Sequence, residues 1–287
     1  MLASLLIVFR EVLEAGLIVG IVLAATHGIR HRGRWVAGGI LAGICGAALL
    51  AVFAGAISNA FAGNGQEVFN ACVLLIAVVM LSWHTLWMAS HGREMAREMK
   101  QMGRAVAAGE KSLLAMAIVV TVAVLREGSE VVLFLYGIAV STKAGFGSLV
   151  FGGVLGVLAG AAASWLLYRG LLAIPLHRLF AVTNVLVALL AAGMAGQAAA
   201  ILAGADLIPA WGYQIWDTSW LLSDGSLLGR AFKAMFGYSD RPMGVQLAAY
   251  LATLLVLVLA GRLIHRLPSR QAVTRARPQF TKPEAGL

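Results

Sequence analysis

Charge is what this sequence has least of. Asp, Glu, Lys and Arg together make up 12% of its 287 residues, against about 25% in an ordinary soluble domain. With 60% hydrophobic residues and a mean hydropathy of +0.87, a water-soluble fold would lack the polar side chains to cover its own surface. Cysteine is nearly absent too. Cys45 and Cys72 fall inside apolar runs without a CxxC spacing, which excludes a disulfide framework and a zinc site built on thiolates. No HExxH or serine-nucleophile motif is present, so an intramembrane protease is excluded. The last apolar segment, 244–264, has no lysine to form a Schiff base, which removes a retinal protein. No secretory signal is legible, because Arg10 and Glu11 interrupt the first apolar stretch and no cleavage pattern follows. The formal net charge of +9 sits in short clusters between apolar runs and in the tail. It therefore reads as a topology signal, not as a nucleic-acid footprint.

What is present is a series of long apolar runs. Segments 3–26, 35–57, 68–91, 113–140, 146–168, 178–203 and 244–264 are each long enough to span a bilayer. Helices are expected, because a helix satisfies its own backbone polar groups and the runs show no period-2 alternation. Glycines recur every fourth position, as in Gly16 and Gly20, Gly39 and Gly43, and Gly152, Gly156 and Gly160; that spacing lets helix backbones approach closely in lipid. Basic residues alternate between connections. Arg30, Arg32 and Arg34 mark the first, and Arg93, Arg97, Lys100, Arg104 and Lys111 the third, while 58–67 has none and the fourth has Lys143 alone. The positive-inside rule then places the N-terminus outside and the C-terminus in the cytoplasm. The expected organisation is an all-α membrane domain over 1–264 and a basic cytoplasmic tail over 265–287. The domain divides into repeat A (1–91), repeat B (113–203), an outer loop (204–243) and a seventh span (244–264).

Two charged clusters interrupt this apolar frame: Arg10-Glu11-Val12-Leu13-Glu14 in the first span and Arg126-Glu127-Gly128-Ser129-Glu130 in the fourth. Each charge costs about 2.5–3.5 kcal/mol at mid-membrane. Left unpaired, the six would cost on the order of 15–20 kcal/mol, more than the net stability of most domains. They must face the bundle interior and be paired, hydrated or ligand-bound. On an ideal helix the three charges of each motif fall within an arc of roughly 100°. Brought together, four carboxylates and two guanidiniums leave a net charge of −2 when all are ionised, and hard oxygen donors with residual negative charge favour hard cations. The first span runs inward and the fourth outward, so the same motif in both is the mark of an inverted repeat of spans 1–3 and 4–6. In such repeats the substrate site lies at mid-depth between the halves.

At these motifs the chain resembles the oxidase-dependent ferric iron permease family, which includes fungal high-affinity iron permeases and the bacterial EfeU type. The family hallmark is a pair of Arg-Glu-Gly-Leu-Glu motifs in the first and fourth of seven spans. The likeness extends to Ser82-Trp83-His84 and Trp87-Met88, to Trp216-Asp217-Thr218-Ser219, and to Met235-Phe236-Gly237-Tyr238. The resemblance implies uptake of Fe³⁺, as transported substrate and not as a resident cofactor, through Glu11, Glu14, Glu127 and Glu130, with Arg10 and Arg126 as charge partners. Val12 stands where the first motif has glycine, and Ser129 where the second has leucine. Both departures alter packing beside the charges and leave every charged position intact.

Three auxiliary residues carry alternative readings. Glu67 opens the third span as a partner of the helix dipole or as an outer cation acceptor. His84 is read as a polar packing contact ahead of a ligand, since a hard cation gains less from imidazole. Asp217 lies in an outer loop with Asp206, Asp224 and Asp240, beside Trp211, Trp216 and Trp220. That loop offers either an acidic receiving surface for a periplasmic iron-delivery, ferroxidase or peroxidase partner, or tryptophan anchoring at the bilayer interface with solvated aspartates. Other readings stay open: a permease for ferrous iron or lead, a proton pathway through the glutamates, and a structural or receptor protein whose arginines merely pin helices together. The sequence leaves the oligomeric state undetermined.

Overall fold

A computed structural model describes residues 1–60, 65–142, 145–170 and 176–266. The expected basic tail beyond residue 266, and Lys143, lie outside the described residues. Among the described residues there are eight helices and no strand: α1 (Leu2–Ala25), α2 (Arg32–Ala60), α3 (Gln66–Ala107), α4 (Leu113–Thr142), α5 (Phe146–Tyr168), α6 (Leu176–Gly204), α7 (Leu227–Phe236) and α8 (Gly244–Arg266). Five of them contain apolar stretches long enough to cross a membrane: Arg32–Ile57, Gln66–Met88, Phe146–Tyr168, Val182–Gly204 and Gly244–Leu263. α1 and α4, of 24 and 30 residues, have the length as well, but each carries the three charges of its motif. Outward faces are apolar, as at Leu41, Val52 and Phe53 on α2 and Leu251, Leu255 and Leu259 on α8. Such faces suit lipid, not water.

Helices pack where glycine lets them. α5 lies on α1 and α2 on α4, the two most extensive contacts in the bundle, followed by α3 on α6 and α6 on α8. A Cβ on Gly156 would sit 2.7 Å from the Leu5 carbonyl oxygen and 2.8 Å from Val8 Cβ. A Cβ on Gly43 would sit 2.9 Å from the Thr121 carbonyl and 2.7 Å from Val124 Cβ. Likewise Gly152 meets Met1 and Ser4, while Gly39 meets Ala117 and Val120. In all of these pairs the offset along the chain between the α1 and α4 residues is the one that separates Glu11 from Glu127. The departure at Val12 has its counterpart here. Val12 packs on Gly160, whereas Gly128 packs on Ala47, so each crossing places its larger side chain on one helix and its glycine on the other.

These registers also give helix directions. Residue numbers rise together along α1 and α5, from Gly156 near Val8 to Gly20 near Tyr168, so the two run parallel. α1 is parallel to α3, since Glu14 meets His84 and Ala25 meets Gly103. α4 runs against α3, since Glu130 meets His84 and Gly137 meets Ala77. The two motif-bearing helices therefore run in opposite senses.

Apolar cores close the bundle above and below the motifs. One gathers Ile7, Leu74, Leu81, Phe134, Ile138 and Met194; the other gathers Val22, Val36, Val106, Met116 and Val120. Two features differ from a simple span-and-loop reading. α3 continues without a break for 42 residues, about 63 Å at 1.5 Å per residue, twice a bilayer core. Its exposed Glu94, Arg97, Glu98 and Lys100 face water, while Met99 and Met102 pack back onto the second core. The loop 204–243 is also ordered. α7 forms within it behind a Ser226 side chain that accepts from Gly229 N at 2.9 Å, and stops at Gly237 with φ 69°. α7 rests on α6 and touches α1 and α4.

Candidate metal centre

Each motif first pairs its arginine with glutamates along its own helix. On α1 the Arg10 guanidinium places Nε 3.0 Å from Glu14 Oε1 and donates from Nη1 to Glu11 Oε1 at 3.3 Å. All three side chains are 1% exposed. On α4 the Arg126 Nε donates to Glu130 Oε1 at 3.4 Å and stands 3.9 Å from Glu127 Oε1. Arg126 is looser: its Cζ lies over the Trp87 ring and 38% of its side chain is exposed. The spacing that puts arginine one turn before the second glutamate produces both pairs.

The two motifs then meet at a residue outside either of them. His84, on α3, sets Nε2 3.1 Å from Glu14 Oε2 and 4.0 Å from Glu11 Oε2. Its Nδ1 lies 2.6 Å from Glu130 Oε2. His84 is thus no ordinary packing contact on an apolar face, because its ring stands between carboxylates from α1 and α4. His84 continues the buried stripe Leu74, Ala77, Leu81 at helical spacing, a side that a run apolar on every face does not mark in the sequence. Nor does the run mark what that stripe would face.

Glu11, His84, Glu127 and Glu130 each offer a donor atom, and these atoms lie within 4.8 Å of one another. An ion holding ligands at about 2.1 Å accepts donors up to about 4.2 Å apart, so a contraction of roughly half an ångström would close the group on a cation. Glu11 Oε2 and Glu127 Oε2 are buried and have no hydrogen-bond partner. Buried carboxylate oxygens without donors are costly, and a cation would satisfy them. Glu14 stands one step back, held by Arg10 and His84.

The remaining sequence candidates lie elsewhere. Glu67 is exposed in the first turn of α3. Asp217 accepts from the Ser219 hydroxyl at 2.6 Å and the Ser219 amide at 2.9 Å, and pairs with Arg241 Nε at 3.1 Å. Those hydrogen bonds, with the Arg241 charge, hold its carboxyl down at about 2. Asp224 and Asp240 each accept the other's backbone N–H, at 3.1 and 3.0 Å, and Lys233 Nζ reaches Asp224 at 2.6 Å. Asp217, Asp224 and Asp240 therefore tie the loop together.

Residues 1–271 match the iron permease FTR1 family. The chain belongs to that family. It is 31% identical to the ferrous iron permease EfeU of Shigella sonnei (strain Ss046) over 281 residues, which cover 96% of this chain and 99% of the relative. The EfeU of Escherichia coli O6:H1 matches at 31% over 282 residues with the same coverage, and that of Yersinia pestis at 29% over 282 residues, again covering 96% and 99%. No solved structure matches. As a member of the iron permease FTR1 family the chain is an integral membrane transporter and not an enzyme, and iron is its transported substrate.

Proposed function

We propose that this permease takes up ferric iron across a bacterial cytoplasmic membrane, binding it between the carboxylates of its two Arg-Glu-x-x-Glu motifs. The observation that carries this reading is the convergence of Glu11, Glu127 and Glu130 on one buried point, with unpartnered oxygens from both helices. Four glutamates and two arginines leave a net negative site suited to a highly charged cation with oxygen ligands. Arg10 and Arg126 orient the carboxylates, and Glu14 supports the site from behind.

The architecture proposed with it has seven spans (α1–α6 and α8), the N-terminus outside, and spans 1–3 and 4–6 as an inverted repeat. The repeat is supported by the shared register of the α1–α5 and α2–α4 contacts and by the opposite senses of α1 and α4. The orientation is supported by the alternation of basic connections. Rocking of one repeat against the other would pass the site from outside to inside. The outer loop, with exposed Trp211, Trp216 and Trp220, leaves a surface for a periplasmic iron-delivery or ferroxidase partner.

Ferrous iron is the second reading. A histidine nitrogen in the donor group suits Fe²⁺, and the relatives carry that ion in their names. Uptake of radiolabelled iron into proteoliposomes, supplied as Fe³⁺ or under reductant as Fe²⁺, separates the two. Glu127→Gln and Glu130→Gln should each abolish uptake while the protein still inserts. Normal uptake in both variants would remove the motif carboxylates from transport.

A further inference from the structure

His84 belongs to neither motif, yet its ring is in contact with both. We propose that His84 Nδ1 is an iron ligand, that Glu14 is the positioning residue which orients its ring, and that this imidazole makes the site discriminate against Mg²⁺ and Ca²⁺. The proposal rests on the permease reading above and adds to it a ligand and a basis for selectivity.

The geometry of the ring assigns the roles. With its hydrogen on Nε2, the imidazole donates to Glu14 Oε2 at 3.1 Å. Nδ1, 2.6 Å from Glu130 Oε2, is then free to give its lone pair to a cation held with Glu11, Glu127 and Glu130. A separation below about 3 Å is one that neighbouring ligands of a small ion adopt. The chain carboxylate, imidazole, metal is the usual way proteins fix the tautomer and direction of a ligating histidine. It also accounts for Glu14 standing outside the donor group although its motif partner Glu11 lies within it. Glu14 is further fixed from behind by Arg10 Nε at 3.0 Å.

Selectivity follows from donor chemistry. Glu11, Glu127 and Glu130 supply oxygen alone, and an all-oxygen site would accept Mg²⁺ and Ca²⁺. Imidazole suits first-row transition ions and contributes little to those hard cations. The nitrogen therefore separates iron from the abundant hard cations Mg²⁺ and Ca²⁺.

X-ray absorption of the full-length protein in detergent, loaded with iron, tests this directly. The expected spectrum contains outer-shell scattering from one imidazole. His84→Gln should lose that scattering, and Mg²⁺ and Ca²⁺ should compete with iron at concentrations at least tenfold lower than in the wild type. Glu14→Gln should keep the imidazole scattering and weaken iron binding by about 10–100-fold. Iron bound to the wild type through oxygen alone would overturn the assignment while leaving the permease reading intact. So would unchanged Mg²⁺ and Ca²⁺ competition in His84→Gln. A wild type that binds no iron would sink the permease reading itself. Should His84→Gln fail to reach the membrane, the wild-type spectrum decides alone.

Discussion

The guanidinium of Arg126 lies over the ring of Trp87, with Cζ 4.7 Å from the ring centroid. Its counterpart Arg10 is clamped between Glu11 and Glu14 at 1% exposure, whereas Arg126 keeps 38%. Two motifs alike in sequence thus sit in unlike surroundings, one sealed and one partly open. Removing a partner from a sealed pair leaves buried charge uncompensated and costs about 3–5 kcal/mol. Arg126, partly exposed against buried Glu127 and Glu130, loses less when removed, with a cation–π contact adding about 0.5–1 kcal/mol. Arg10→Ala should therefore destabilise the detergent-solubilised protein far more than Arg126→Ala, as read by thermal unfolding. Equal losses would show that the difference in exposure has no energetic weight.

The helix crossings permit a swap. Val12 fills the space over Gly160 on one side, and Ala47 fills the space over Gly128 on the other. Gly160→Ala alone overpacks its crossing, because a Cβ there would lie 2.9 Å from both the Phe9 carbonyl and Val12 Cβ. The expected loss is about 1–3 kcal/mol. Adding Val12→Gly gives the α1–α5 crossing the residue pair of the α2–α4 crossing, and should restore more than half of that loss. Strictly additive effects in the double-mutant cycle would mean that the two positions do not share one space.

Much of this arrangement was legible from residue spacing. The first and fourth spans, read as 3–26 and 113–140, are observed as Leu2–Ala25 and Leu113–Thr142, because an uninterrupted apolar run in lipid has no alternative to helix. The fourth-position glycines face other helices, as small residues in membranes do. His84 was harder to place. A lone imidazole in a run apolar on every face declares neither its side nor what another helix brings to it, and here the partners come from 70 positions earlier and from α4. Glu11 and Glu14 also share one face of the helical wheel, and only the third helix distinguishes ligand from support. α7 was hidden because its ten residues lie within a stretch whose polar and aromatic composition reads as loop. The length of α3 was masked by its change from apolar to charged composition, which ends the span without ending the helix.

Acid should loosen the outer loop only in a narrow window. Asp217 titrates at about 2 in the folded protein, below the ordinary aspartate value of about 3.9. A depressed folded-state pKa contributes stability that is present above the unfolded value and is lost as pH falls through the folded one. Hydrogen exchange around the Ser219 amide, corrected for intrinsic rates, should be flat from pH 8 to about 5 and rise only between about 4 and 2. Asp217→Asn should lack that rise. A wild-type transition near pH 6 would mean that another group holds the loop.

α7 is held against α6 by backbone meeting backbone. A Cβ on Gly193 would lie 2.6 Å from the Gly237 Cα, and neither main chain can give way as a side-chain tip would. Gly237 also needs its left-handed φ of 69° to end α7. Gly193→Ala should therefore lift α7 off α6, while Lys233–Asp224 and the Tyr238 hydroxyl, which donates to the Leu222 carbonyl at 2.8 Å, keep the loop itself folded. Amides over 227–236 should exchange at least tenfold faster in that variant, while those of α1 and α4 near the carboxylates remain unchanged. Because α7 touches the ends of α1 and α4, a simultaneous acceleration in those helices would mean that α7 is part of the bundle's core and not a separable outer cover. Unchanged exchange over 227–236 would show that the close approach at Gly193 is not what docks the helix.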